Sequence, residues 1–172
     1  MHLKKFRVTN FRSTVDSGWI EASDVTALIG ENEAGKTNLL LPLWKFNPSG
    51  DGEISLLDDM PRNRYAEMRT EPGRHDFITC VFELDEEEQA IAAQHGADPE
   101  TCRTVEIVRD YDGRYGWSFP DDREFAIHKA TVPQEPRPDA TDDEENPEDV
   151  DAGPPLRQVL AERLPKFVYY SN

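Results

Sequence analysis

Eight consecutive residues, Gly30-Glu31-Asn32-Glu33-Ala34-Gly35-Lys36-Thr37, fit the pattern G-x-x-x-x-G-K-[ST] in full. Each residue type has a job in gripping phosphate. Gly30 and Gly35 let the backbone bend until successive N–H groups converge on a β-phosphate, helped by the positive end of a following helix. Lys36 neutralises β/γ oxygens, and the Thr37 hydroxyl holds Mg2+. The pattern arises by chance in about one chain in 150 of this length, so its context matters. It must leave a buried strand and open a helix. Val25-Thr26-Ala27-Leu28-Ile29 reads as a strand covered on both faces, running directly into Gly30. Lys36 to Phe46 reads as a helix with Leu39, Leu40, Leu43 and Trp44 on one broad face. Pro42 removes a backbone donor inside that helix and predicts a kink or an early end. The expectation is a nucleoside triphosphate site.

Other chemistry-bearing residues give weaker patterns. Ile54-Ser55-Leu56-Leu57-Asp58-Asp59 imitates an apolar strand ending in two acids, and Asp58 and Asp59 are the candidate catalytic carboxylates. Aspartates just before Pro61 also fit a solvated turn, which is the reading adopted. Asp110-Tyr111-Asp112 and Asp149-Val150-Asp151 match the D-x-D fragment of a nuclease centre, but the first sits against a hairpin turn and the second in an acidic run. His2, His75, His95 and His128 have no metal spacing, and Cys80 and Cys102 form no CxxC pair. Arg62, Arg64, Arg69 and Arg74 make a modest basic cluster, read as a solvated loop.

These residues need elements to hold them. Leu3 to Phe11 alternates, with Phe6 and Val8 on one face, as a half-buried strand does. Asp16-Ser17-Gly18 is turn chemistry, and Trp19-Ile20-Glu21 reads as a short returning strand. Phe77 to Leu84 is a further strand. Asp85 with Glu88 three residues on predicts a capping box, opening a helix from Glu86 to about His95 that Gly96 ends. Thr104 to Tyr111 and Arg114 to Phe119 flank Asp112-Gly113, a hairpin signal, and Phe125 and Ile127 suggest another strand. Leu156 to Leu164 reads as an amphipathic helix and Lys166 to Tyr170 as the start of a strand. This terminal piece is expected to pack back through Val159, Leu160, Phe167 and Val168.

Charge divides the chain. Its 172 residues carry 35 acidic against 19 basic side chains, a net of −16 that argues against unaided binding to a phosphate backbone. Between Pro133 and Pro155 nine acids face one basic residue, Arg137, with Val150 the only large aliphatic. Such a segment buries too little apolar surface to offset its ordering entropy and is expected to be disordered. No apolar run reaches the roughly 20 residues that span a bilayer, and no secretory signal opens the chain, so a reduced, cytoplasmic protein without membrane association is expected. The division expected is a nucleotide-binding lobe with an antiparallel β-subdomain over 1–132, the acidic insertion over 133–155, and a further helix and strand over 156–172.

No N-K-x-D element of a GTPase is present, and the loop lacks the third glycine usual in small-molecule kinases. Asn10-Phe11-Arg12-Ser13 followed by LIGENEAGKTNLL, Leu28 to Leu40, resembles the RecF/SMC-like branch of ABC-type ATPases, and most of all the overcoming-lysogenization-defect (OLD) family of AAA-type ATPase–nucleases. The ending Leu164-Pro165-Lys166-Phe167-Val168-Tyr169-Tyr170 is similar to that family too. The resemblance implies an α/β P-loop NTPase lobe binding ATP and Mg2+, with Asn38, Asn10 and Arg12 also bordering the nucleotide. It implies head-to-head homodimers in the complete protein, DNA contacts through parts beyond this chain, and a role in DNA repair, DNA processing or phage defence. The family's signature serine motif, its downstream Walker B acids and its metal-completing glutamine have no counterpart here; Gln89, Gln94, Gln134 and Gln158 are poorly placed for the last. The rival reading is a non-catalytic nucleotide-binding module whose acidic segment recruits a partner.

Overall fold

The computed structural model describes residues 1–31, 35–98, 101–119 and 156–170. The chain is mixed α/β, built on one five-stranded antiparallel sheet in the order β2-β1-β3-β4-β5. Its strands are β1 (His2–Phe11), β2 (Thr14–Glu21), β3 (Asp76–Glu83), β4 (Thr104–Asp110) and β5 (Tyr115–Ser118). The register places Ile20, Phe6, Cys80, Ile107 and Trp117 in one row across all five strands. Side chains in such a row are cross-strand neighbours, so period-2 alternation in each strand becomes a continuous apolar face. The central strand β3 is covered on both sides: Phe77, Ile78, Cys80 and Phe82 are wholly buried.

Five α-helices, α1 (Lys36–Phe46), α2 (Leu56–Asp59), α3 (Tyr65–Met68), α4 (Glu86–Gln94) and α5 (Leu156–Glu162), and one 3-10 turn, Pro72–Arg74, complete the described elements. Helix α1 does not end at Pro42, because Pro42, Lys45 and Phe46 are its buried residues and that packing outweighs one missing hydrogen bond. Its inward face is therefore rotated from the one expected, and Leu40 is exposed. Phe46 anchors it, with ring centroids 5.5 Å from Tyr115, 5.8 Å from Phe82 and 6.2 Å from Phe167. Helix α4 has both halves of the expected capping box: Glu88 N donates to Asp85 Oδ1 and Asp85 N to Glu88 Oε2, each at 2.9 Å. Glu88 is itself buried and takes the Met1 ammonium on its other oxygen at 2.8 Å. The hairpin turn is also as expected, with Gly113 at φ 78° and its N–H closing onto Asp110 O at 3.1 Å.

Three expectations are corrected. Val25–Ile29 forms no strand; Val25 is 86% and Ile29 94% exposed. A β-rich run needs a neighbour to ladder with, and none of the described strands lies beside it. Asp16-Ser17-Gly18 is not a hairpin turn but lies within β2, opposite the register shift between Arg7 and Thr9, with Gly18 at φ 66°. The turn falls earlier, at Arg12-Ser13. Lys166–Tyr170 contributes a single parallel bridge, Phe167 to Pro48, rather than a strand, and Val168 is exposed while Leu156, Leu160 and Leu164 are buried. The strand around Phe125 and Ile127 and the acidic segment 133–155 lie outside the described residues.

Candidate functional site

Helix α1 opens on Gly35, whose φ of 78° is left-handed, a conformation that glycine adopts without steric cost. Lys36, the first helical residue, folds its side chain back so that Nζ donates to Gly30 O at 2.5 Å and Glu31 O at 2.6 Å. One ammonium thus links the two ends of the motif across residues 32–34, which lie outside the described set. Gly30, Glu31 and Thr37 are exposed. Asn38 Nδ2 donates to Ser13 Oγ at 2.7 Å, joining the first turn of α1 to the β1–β2 hairpin. Anionic oxygens arriving at this loop would take the place of the two carbonyls as partners of Lys36.

The hairpin itself is the second half of the site. Asn10 and Arg12 have φ of 51° and 52°, left-handed values rare outside glycine. Asn10 is pinned by Arg64 Nη1, which donates to its Oδ1 at 2.7 Å, and by Tyr111 Oη, which donates to its backbone O at 2.6 Å. Arg12 is pinned by Asp59: its N–H donates to Asp59 O at 2.7 Å and its Nη2 to Asp59 Oδ1 at 3.3 Å. Asn10 and Arg12, singled out as bordering a nucleotide, thus have their side chains on Arg64 and Asp59.

Asp59 does not sit in a solvated turn. It is fully buried, its Oδ2 accepting from Lys45 Nζ at 2.6 Å and from Ser55 N at 2.9 Å. The local reason is α2: Ser55 caps it, and the chain then carries Asp59 inward against Lys45, a lysine on the buried side of α1. A charge taken out of water requires such a partner. Tyr111 Oη adds a 3.0 Å bond to Asp59 O, and burial first, then the Asp59 charge, pushes the phenol far above its usual range. Asp58 points the other way, exposed, accepting from Ser55 Oγ at 2.8 Å. The two candidate acids are therefore unlike: one is a structural hub and one is free to meet solvent.

No family model matches the chain, and no curated protein matches it. Sequence patterns missed Lys45, Tyr111 and Arg64 as the residues that organise this corner. Lys45, one position before buried Phe46 on α1, was the available signal, because a lysine there demands a carboxylate. The remaining constellations resolve into structure. Asp110 Oδ1 accepts from Asp112 N at 3.0 Å and Arg114 N at 2.9 Å, which makes the first D-x-D the frame of a turn. Arg74 pairs with Glu71 and Arg69 lies over Tyr65. Cys80 and Cys102 are both buried, and burial pushes the Cys80 thiol well above its usual range. Among the described residues no group of three or more His, Cys, Asp or Glu is arranged to hold a metal ion, and no helix is long and apolar enough to cross a membrane.

Proposed function

We propose that the chain binds Mg-ATP on Gly30–Thr37 and forms the nucleotide-gripping lobe of a P-loop ATPase resembling the OLD and RecF/SMC-like groups, engaged in DNA processing, repair or phage defence. The observation that carries this is the full phosphate-loop motif set at the mouth of α1, with Gly35 left-handed and Lys36 folded over the loop carbonyls. Lys36 and the backbone N–H groups would hold the phosphates, and exposed Thr37 would supply the Mg2+ ligand. Titration with a fluorescent ATP analogue tests it: Lys36→Ala should weaken binding at least tenfold, and equal affinities would exclude the site.

Binding without turnover by these residues is the second reading, and the burial of Asp59 favours it. Hydrolysis needs a carboxylate or similar group to orient the attacking water. Asp59 is committed to Lys45, Ser55 and Arg12, which leaves Asp58 as the accessible acid of the pair. Phosphate release by residues 1–172 should stay near background and be unchanged in Asp58→Asn. Turnover on the order of once per second, abolished by that substitution, would make Asp58 catalytic.

A further inference from the structure

A cavity of about 830 Å3 opens between the β1–β2 hairpin and the segment 55–63, and none of the described residues of the phosphate loop lines it. Arg12, Arg62, Ser13 and Asn63 contribute donors to its wall and exposed Asp58 a carboxylate, with Lys45 and Asp59 behind them. The charges do not cancel: three cations, Arg12, Lys45 and Arg62, face two carboxylates, Asp58 and Asp59. Asp59 is already neutralised by Lys45 at 2.6 Å, so the longer Arg12 contact at 3.3 Å leaves that guanidinium in surplus. Arg12 Nε is buried and lacks a hydrogen-bond partner among the described residues. Arg62 is exposed and has no ion pair or hydrogen bond among them either. A guanidinium offers five donors and no acceptor, and its fork matches phosphate oxygens.

The backbone makes the same point independently. The two-residue loop Arg12-Ser13 sets Arg12 at φ 52°, where a hairpin ordinarily carries glycine or asparagine. An arginine held in a left-handed conformation costs stability, and such strain persists where surrounding structure enforces it. Asp59 enforces it here, through both its backbone oxygen and its carboxylate.

We infer that this cavity is a phosphate-group site, with Arg12 and Arg62 as its anchors and Asp59 as the residue that positions Arg12. The inference stands apart from the phosphate-loop reading, since its lining residues differ from the described residues of that loop. The ligand is a small phosphorylated molecule separate from a loop-bound nucleotide, although Ser13 at the cavity wall is bonded to Asn38 of α1.

Calorimetric titration with pyrophosphate tests it, in a chain whose net charge of −16 suppresses non-specific anion binding. Wild type should bind, Arg62→Ala should weaken binding tenfold or more, and Arg62→Lys should recover part of the loss. Arg12→Gly should weaken it similarly while melting close to wild type, since glycine accepts the left-handed turn. Lys36→Ala should leave pyrophosphate affinity unchanged, and a loss matching that of Arg62→Ala would assign the phosphate to a loop-bound nucleotide and overturn a separate site. Failure of Lys36→Ala to alter ATP-analogue binding would count against the phosphate loop and leave the cavity untouched. Absence of pyrophosphate binding by wild type at millimolar concentration, or equal affinities in wild type, Arg62→Ala and Arg12→Gly, would overturn the proposal.

Discussion

Two β-rich runs of this chain meet opposite fates. Phe77-Ile78-Thr79-Cys80-Val81-Phe82 lies at the centre of the sheet, laddered to β1 on one side and β4 on the other, with four of its side chains wholly buried. Val25-Thr26-Ala27-Leu28-Ile29 is as apolar and as β-prone, yet it carries no ladder, and its two end residues are almost fully exposed. Propensity measures fitness for a pleated, half-buried surface and does not supply the neighbouring strands. The first run has partners on both sides among the described residues and the second has none.

The contrast is open to substitution. Phe82→Ala should be the most damaging change, lowering unfolding free energy by about 3–5 kcal/mol, because a fully buried aromatic leaves a cavity against Phe46. Denaturant melts check it, and a loss below about 1 kcal/mol would mean the sheet core is looser than described. Asp59→Ala should cost a comparable about 3 kcal/mol or more, since Lys45 would be left buried without its counter-ion. Asp85→Ala, just past the end of β3, should cost about 1 kcal/mol through loss of the cap on α4.

At the smaller end, Asp110→Asn keeps both turn bonds and removes a charge that burial holds above the usual carboxylate range. With a raised folded-state value, the native chain binds the proton more tightly than the unfolded one. That contribution is present at acid pH and disappears as pH rises through the folded value. The variant should therefore gain on wild type as pH climbs through the ordinary carboxylate range, and melts at two pH values read the sign. A gain that shrinks with pH would reverse the assignment. Ile29→Ser should shift stability by less than about 0.5 kcal/mol, as exposed substitutions do. Amide exchange offers a parallel check: fast over Val25–Ile29, slow over β3.

The same contrast explains what could be read in advance. The capping box of Asp85 and Glu88, the Asp112-Gly113 turn and the alternation of β1 are local signals, and each has its expected form because a few adjacent residues decide it. The G-x-x-x-x-G-K-T motif is local too: Gly35 stands left-handed at the mouth of α1, and the helix opens at Lys36 as expected. The fate of Val25–Ile29 depends on strands elsewhere. The burial of Asp59 depends on Lys45 and Tyr111, which lie 14 and 52 residues away in sequence. No short window holds both members of such a pair, so an aspartate before a proline looks like a turn until the helix carrying its lysine is in place.

Beyond the acidic stretch, the chain returns to a fixed address. Asn47 Nδ2 holds Leu164 O and Pro165 O, both at 3.1 Å, while Phe167 N bonds Asn47 O and Ser49 N bonds Phe167 O, both at 2.8 Å. Phe119 and Leu156, which bracket residues 120–155, are both buried in the one core. The clasp at Asn47 therefore ties together positions 117 and 118 residues apart, so a chain cut between Phe119 and Leu156 should keep its last helix seated through these bonds and through buried Leu156, Leu160 and Leu164.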